Sequence, residues 1–252
     1  MNADNNSNKK ILIAGASKGI GFATAEMLLA GGYKVIAAAR DVEAMSEKYK
    51  QYGCTAEIYA CDFSDTEAIA AFAEKVNKES GPISGMVYTA GAQLTMPISM
   101  NKPDKVKGLF TLNTFAPIEL IRCFSKKKMI NENGASFVLI SSLSAHEGSV
   151  GQSLYGATKG ALEGFLAPAA AELVSRGIRL NVVVPGMIKT EMSESFMKNL
   201  SADRKEQFLA TYPLGLGKPE DAASLIVWLL SDESRWATGQ SYVIDGGHMI
   251  RG

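Results

Sequence analysis

Tyr155 and Lys159 stand four residues apart in the segment Tyr155-Gly156-Ala157-Thr158-Lys159, with Ser142 upstream. On a helix, side chains at i and i+4 share one face. A phenol held beside an ammonium is a poised proton donor. Tyrosine's ordinary pKa is about 10, and a nearby positive charge favours the phenolate and lowers that value. A group that titrates closer to neutral pH serves as a general acid or base. The same spacing also occurs in helices where the two residues are simply solvated, so a second motif has to decide between the readings.

That motif is Ile11-Leu12-Ile13-Ala14-Gly15-Ala16-Ser17-Lys18-Gly19-Ile20-Gly21, followed by the apolar periodicity of Phe22-Ala23-Thr24-Ala25-Glu26-Met27-Leu28-Leu29-Ala30. A short apolar run reads as a buried parallel strand, and the periodic stretch after it reads as a helix. Glycines between them permit tight dihedrals and close approach of a diphosphate. The helix N-terminus then offers that diphosphate free N–H groups and a positive dipole end. The spacing is G-x-x-x-G-x-G rather than G-x-G-x-x-G. Strand, turn and helix in this order make a glycine turn without a ligand the weaker reading.

Together these residues resemble the short-chain dehydrogenase/reductase family, from about Lys10 to the C-terminus. The resemblance implies an active site of Asn113, Ser142, Tyr155 and Lys159. The Pro185-Gly186-Met187-Ile188-Lys189-Thr190 stretch is similar to the family's nicotinamide-side motif, and Tyr242-Val243-Ile244-Asp245-Gly246-Gly247 to its usual ending. Thr89-Ala90-Gly91 departs from the family's Asn-Ala-Gly: the glycine is kept, but a hydroxyl replaces the amide that ties neighbouring strands.

The elements that must position these groups alternate along the chain. Apolar strand runs fall at 11–14, 34–38, 55–60, 85–89, 136–141, 179–184 and 241–244, with helical patterns such as 65–78, 117–127, 155–175 and 220–230. Alternating β and α elements predict one Rossmann-type, doubly wound parallel sheet of about seven strands with helices on both faces. Ligands bind such sheets beyond the carboxyl ends of the strands. The glycine turn, Ser142 and Pro185-Gly186 each follow a strand and so converge there. Pro219 with Glu220 and Asp221 starts a helix well, whereas Pro168 falls inside the 155–175 helix and should bend it near Gly164.

The 252 residues suit a single domain over 10–252, with residues 1–9 as a polar, frayed tail. Composition is 46% hydrophobic with net charge +0, which supports neither a nucleic-acid nor an anionic-membrane partner. No apolar run approaches a membrane span and the start lacks a signal-peptide core. Cys54, Cys61 and Cys123 are scattered, so neither a disulfide framework nor a zinc site is indicated and a reducing cytoplasm fits. His146 and His248 are ordinary polar residues, with His146 near the substrate because it follows Ser142.

By resemblance, the reaction is reversible hydride transfer between nicotinamide and a carbonyl or alcohol carbon. Tyr155 exchanges the proton, and Ser142 holds the substrate oxygen in preference to its neighbours Ser141 and Ser144. Lys159 lowers the tyrosine pKa and grips the nicotinamide ribose, while Asn113 anchors a proton-relay water, its alternative being a local backbone bond at a helix irregularity. Cofactor contacts are implied for Gly15, Ser17, Lys18, Gly19, Ile20, Gly21, Asp62, Phe63, Thr89, Ala90, Gly91, Pro185, Gly186, Ile188 and Thr190. An acidic residue after the second strand would favour NAD. Here Ala39 holds that position and Arg40 follows, a bidentate match for a 2′-phosphate, with Lys18 adding charge and Asp41 capping the next helix. NADPH (or NADP+) is therefore favoured over NADH.

The stretch 187–216, carrying Met192, Phe196, Met197, Phe208 and Tyr212, reads as a helical lid over an apolar substrate, or equally as core packing. The resemblance to 3-oxoacyl-acyl-carrier-protein reductases suggests a carrier-linked acyl substrate, which Lys126, Lys127, Lys128 and Arg176 could meet. Other ketones, including quinones, steroids and sugars, stay open, as do a sugar-nucleotide epimerase and an NADPH-sensing regulator without turnover. The resemblance also implies a homo-oligomer, tetramer or dimer.

Overall fold

The structure is a computed structural model that describes residues 6–250 apart from 199. Seven strands run parallel: β1 (Lys10–Ala14), β2 (Lys34–Ala39), β3 (Ala56–Ala60), β4 (Gly85–Tyr88), β5 (Ala135–Ile140), β6 (Ile178–Pro185) and β7 (Ser241–Ile244). They are ordered β3-β2-β1-β4-β5-β6-β7. Helices α1 (Gly19–Ala30), α2 (Val42–Tyr49), α3 (Ala68–Ser80), α4 (Pro103–Phe110), α5 (Ala116–Phe124), α6 (Ser153–Leu173), α7 (Glu191–Lys198), α8 (Ala202–Leu209) and α9 (Pro219–Leu230) lie between them.

Successive strand residues point to opposite faces, so β1 divides its apolar side chains between two cores. Leu12 and Ala14 join the layer covered by α3, α5 and α6, with Phe72, Leu120, Phe124 and Leu166. Ile11 and Ile13 join the layer under α1, α2 and α9, with Leu28, Tyr49, Ile226 and Leu230. Burial on both faces is why these strands read as continuous apolar runs rather than alternations. After β3 the chain returns to the other side of β1 to form β4. Strand order thus reverses between β1 and β4, and the crevice opens at their carboxyl ends.

Most departures from the expected boundaries have a capping explanation. The helix expected at 65–78 begins at Ala68, because the Asp65 carboxylate accepts from the N–H groups of Glu67 (3.1 Å) and Ala68 (3.3 Å) and caps it from outside. The helix expected to reach 127 stops at Phe124, and Lys128 beyond it has φ 73°. α6 stays one helix through Pro168, and a final turn ends at left-handed Gly177. Asp41 caps α2 by accepting from Ala44 N at 2.9 Å, and the Asp221 carboxylate accepts from Lys218 N at 2.6 Å at the start of α9.

The tail expectation needs correction over 6–9. Asn6 is buried and donates to Gly31 O at 3.0 Å, and Lys9 pairs with Asp232. Polar composition hid these partners, which lie far along the chain. Residues 1–5 lie outside the described residues. Among the described residues no helix is long and apolar enough to cross a membrane.

Candidate active site

A cleft of about 880 Å³ follows the carboxyl edge of the sheet. At its centre β1 gives way to the glycine turn. Gly15 has φ 98°, and a Cβ there would stand 2.5 Å from Ala90 N, so both backbone conformation and space demand glycine. Gly21 lets α1 settle on the turn, since a Cβ would meet Gly15 O at 2.2 Å. No side chain caps the start of α1, whose first-turn N–H groups open toward the cleft. The strand-bracing question at Thr89 has a direct answer. Its Oγ1 lies 3.1 Å from both Ala14 O and Gly15 O, so a hydroxyl ties β4 to β1.

At one end of the cleft stand Arg40, Asp41, Ala44, Lys48, Asp62 and Phe63. Asp62 accepts from Ser64 N (2.9 Å) and Ser64 Oγ (2.7 Å), and these bonds hold its carboxyl below the usual range, helped by Arg40. Two findings change the expected charge pattern. Lys18 is paired across the cleft with Glu191, the first residue of α7. Lys48, which carried no sequence signal, lines the cleft while donating to Ser17 O at 2.6 Å.

The candidate reacting groups sit just beyond β5 and on α6. Ser142 lies close enough to the Tyr155 phenol to counter part of its burial, Ser141 donates to Glu163 Oε1 at 2.6 Å, and Ser144 donates to Gln152 Oε1 at 2.7 Å. Structure thereby separates three serines that composition alone could not. Tyr155 and Lys159 are both buried and both line the cleft. The expected lowering of the tyrosine pKa is reversed. Burial pushes the phenol up to about 12, with Ser142 opposing. Lys159 Nζ donates to Ile140 O at 2.8 Å and lies 5.8 Å from the tyrosine ring centroid, and burial pushes its ammonium down to about 8. Both groups lie out of water, and desolvation disfavours the charged form of each.

Asn113 is fully buried behind this wall, within a π-helical stretch at Thr111–Phe115. Its Oδ1 accepts from Ala92 N (3.0 Å), and its Nδ2 donates to Ala92 O (2.9 Å) and Thr158 Oγ1 (3.1 Å). The irregularity weighed as the alternative is present, but the backbone Asn113 bonds is that of Ala92, 21 residues away, rather than a local one. Ser17, Gly19, Ile20, Ala90, Gly91, Pro185, Gly186, Ile188 and Thr190 all line the cleft.

At the opposite end, α7 and α8 contribute Met192, Phe196 and Phe208, joined by Tyr212. Phe196 and Phe208 lie 5.6 Å apart, and Phe208 and Tyr212 lie 5.5 Å apart. Met197 does not line the cleft. Gln93, Glu147 and Gln152 also face it and were invisible in the sequence, because only packing brings them there, and Met187 of the Pro185–Thr190 stretch joins them. His146 corrects another expectation: it pairs with Glu163 away from the cleft. His248 bonds Glu147 at 2.8 Å and stacks on Tyr212. Lys126–Lys128 and Arg176 precede β5 and β6, so they lie at the amino edge of the sheet and do not frame this cleft.

The family model described as enoyl-(acyl carrier protein) reductase matches residues 15–249. Carbonyl reductase family member 4 of Xenopus laevis is 34% identical over 241 residues, 95% of this chain and 97% of that protein. The 3-oxoacyl-acyl-carrier-protein reductase FabG of Escherichia coli (strain K12) is 32% identical over 240 residues, 95% of this chain and 96% of its own. A blue fluorescent protein from a metagenomic library, solved in complex with NADPH, matches with TM-score 0.86 at 27% identity, covering 96% of this chain and 98% of that one. Matched over nearly the whole chain in sequence and in fold, this protein belongs to the short-chain dehydrogenase/reductase family of oxidoreductases.

Proposed function

We propose that the protein is an NADPH-dependent reductase that converts a ketone to a secondary alcohol. The observation that carries this reading is the meeting of Ser142, Tyr155 and Lys159 in the same cleft as the uncapped glycine turn. The turn fits a dinucleotide, because Gly15 and Gly21 let strand, turn and helix pack tightly and leave the uncapped first turn of α1 facing the cleft. Gly15, Ser17, Gly19, Ile20 and Gly21 would hold the diphosphate, with Asp62 and Phe63 against the adenine. Thr89, Ala90 and Gly91 would line the middle of the dinucleotide, and Pro185, Gly186, Ile188 and Thr190 its nicotinamide side. Ala39 in place of an acid, with Arg40 and Lys48 alongside, favours a 2′-phosphate. Asp41 does not oppose this, since its carboxylate accepts from Ala44 N.

When bound, the nicotinamide supplies the hydride. Tyr155, protonated at neutral pH, donates its phenolic proton to the substrate oxygen. Ser142 donates to the same oxygen and holds it beside the phenol. Lys159 binds the ribose hydroxyls and stabilises the phenolate left behind. The Asn113 side chain is already satisfied by Ala92 and Thr158. Any relay water near it would therefore rest on main-chain carbonyls freed by the π-helical stretch.

A 3-oxoacyl thioester, carrier-linked or free, is the first substrate to test, because near-full-length relatives carry that name. The apolar lid residues Met192, Phe196 and Phe208 suit an acyl chain. The working form is read as a cytoplasmic homo-oligomer, a dimer or tetramer. Its edge strand β7 leaves Val243 48% exposed, and its cysteines are unpaired.

The test is oxidation of NADPH and NADH against a panel of ketones that includes a 3-oxoacyl thioester. Rapid NADPH-dependent turnover of the thioester supports the whole reading. Turnover of other ketones alone keeps the reaction and removes the substrate. Tight NADPH binding with no turnover across the panel would favour a sensing role.

A further inference from the structure

Beyond β5 the chain arches out over residues 141–146, and Ser142, which lines the cleft beside the Tyr155 phenol, lies inside that arch. Both feet of the arch end on one side chain. Ser141 Oγ donates to Glu163 Oε1 at 2.6 Å, and His146 Nε2 lies 3.0 Å from each Glu163 carboxylate oxygen. Ser141 is 2% exposed, the Glu163 side chain 15% and the His146 side chain 38%, so the Ser141 bond forms largely out of water, where an unpaired carboxylate would be costly, while the His146 bond closes the arch at the surface. The Ser142 hydroxyl itself is held by longer contacts, 3.2 Å to both Ser144 N and Ser144 Oγ.

Glu163 follows Lys159 by one helical step, as Lys159 follows Tyr155, so one face of α6 carries all three. The helix also presses directly on the arch: a Cβ at Gly156 would come within 2.2 Å of Ser144 O. Glu163 itself does not line the cleft, so it has no contact with reacting atoms.

The geometry points to Glu163 as a positioning residue whose carboxylate clamps both ends of the 141–146 arch to α6 and so holds Ser142 against Tyr155. This rests on the ketoreductase reading, in which Ser142 must share the substrate oxygen with that phenol. A carboxylate suits the task because its two oxygens accept from two directions at once. A glutamine keeps one acceptor oxygen at the same reach, and an alanine keeps none.

The experiment compares wild type, Glu163→Ala and Glu163→Gln in three ways. These are steady-state reduction of a ketone at saturating NADPH, NADPH affinity by cofactor fluorescence, and amide hydrogen exchange of the chain alone. Misplacement of Ser142 in Glu163→Ala should lower kcat by about ten- to a hundredfold with NADPH affinity unchanged. Exchange at Ala145 and His146, whose N–H groups bond Ser142 O and Leu143 O, should quicken while the glycine turn keeps its protection. Glu163→Gln should recover most of kcat. Wild-type kcat in Glu163→Ala would overturn the clamp, as would a loss shared with NADPH affinity and with faster exchange across the glycine turn. Wild-type inability to reduce any ketone would sink the ketoreductase reading by itself, and the exchange comparison would still decide whether Glu163 holds the arch.

Discussion

The two walls of the cleft are built on different physics. The β5–α6 wall sets Tyr155 (9% exposed), Lys159 (5%) and, behind them, Asn113 (0%) among hydrogen bonds that run out of water. The α7–α8 wall offers half-buried aromatic rings in contact with one another, and Met192 is 43% exposed. A buried polar bond has one good geometry, and breaking it leaves an orphaned group. An apolar contact in a half-open site tolerates rearrangement, because dispersion and burial are not directional. The first wall therefore suits chemistry that must not move, and the second suits recognition that adapts. Substitutions should divide accordingly, with kcat falling on one side and KM changing on the other.

The strongest test of that division is Tyr155→Phe. Removing the proton donor should cut kcat by about 10²- to 10⁴-fold with NADPH affinity intact; retained turnover would remove the role given to Tyr155. Lys159→Met should abolish most turnover while making the chain more stable at neutral pH. The wild-type ammonium has its value pushed down from 10.5 to about 8. Between those values the unfolded chain binds more protons than the folded one, so the lysine's contribution to stability rises with pH. The stability gained by Lys159→Met should thus be full below about pH 8 and shrink toward pH 10.5, read as melting temperature against pH. A gain independent of pH would mean that burial does not disfavour the charged lysine.

A smaller effect is expected at the cofactor end. Arg40→Ala should cost NADPH about 1.5–3 kcal/mol of binding and leave NADH nearly unaffected, about a ten- to hundredfold change in preference. Equal losses for both cofactors would show that Arg40 does not read the 2′-phosphate. Smallest is Phe208→Ala on the lid wall, which should raise KM for acyl substrates a few-fold with kcat close to wild type and lower stability by about 1 kcal/mol. A kcat collapse there would erase the contrast between the walls.

Much of this was legible without coordinates because it is local. The run at 11–14 followed by glycines gives strand and turn through side-chain size alone, and β1 differs from it by one residue. Asp41 as a cap and Pro219 as a helix start depend on neighbours three residues away or fewer. The placement of His146 was misjudged because its partner Glu163 lies 17 residues on. The docking of Asn6 on Gly31 and the tie from Thr89 to Ala14 cross 25 and 75 residues, so neither leaves a local pattern.

The sequence by itself determined the elements, the doubly wound class and the candidate groups for chemistry, since periodicity, capping and residue type act over a few positions. Tertiary structure alone decided which way each group is pushed. It set Tyr155 and Lys159 out of water, so that burial raised one pKa and lowered the other against the expected pairing. It paired Lys18 with Glu191, brought Lys48 to the cleft, and set Glu163 across both ends of the Ser142 arch. Desolvation and long-range pairing depend on what surrounds a side chain in three dimensions, and the order of residues along the chain does not carry that information.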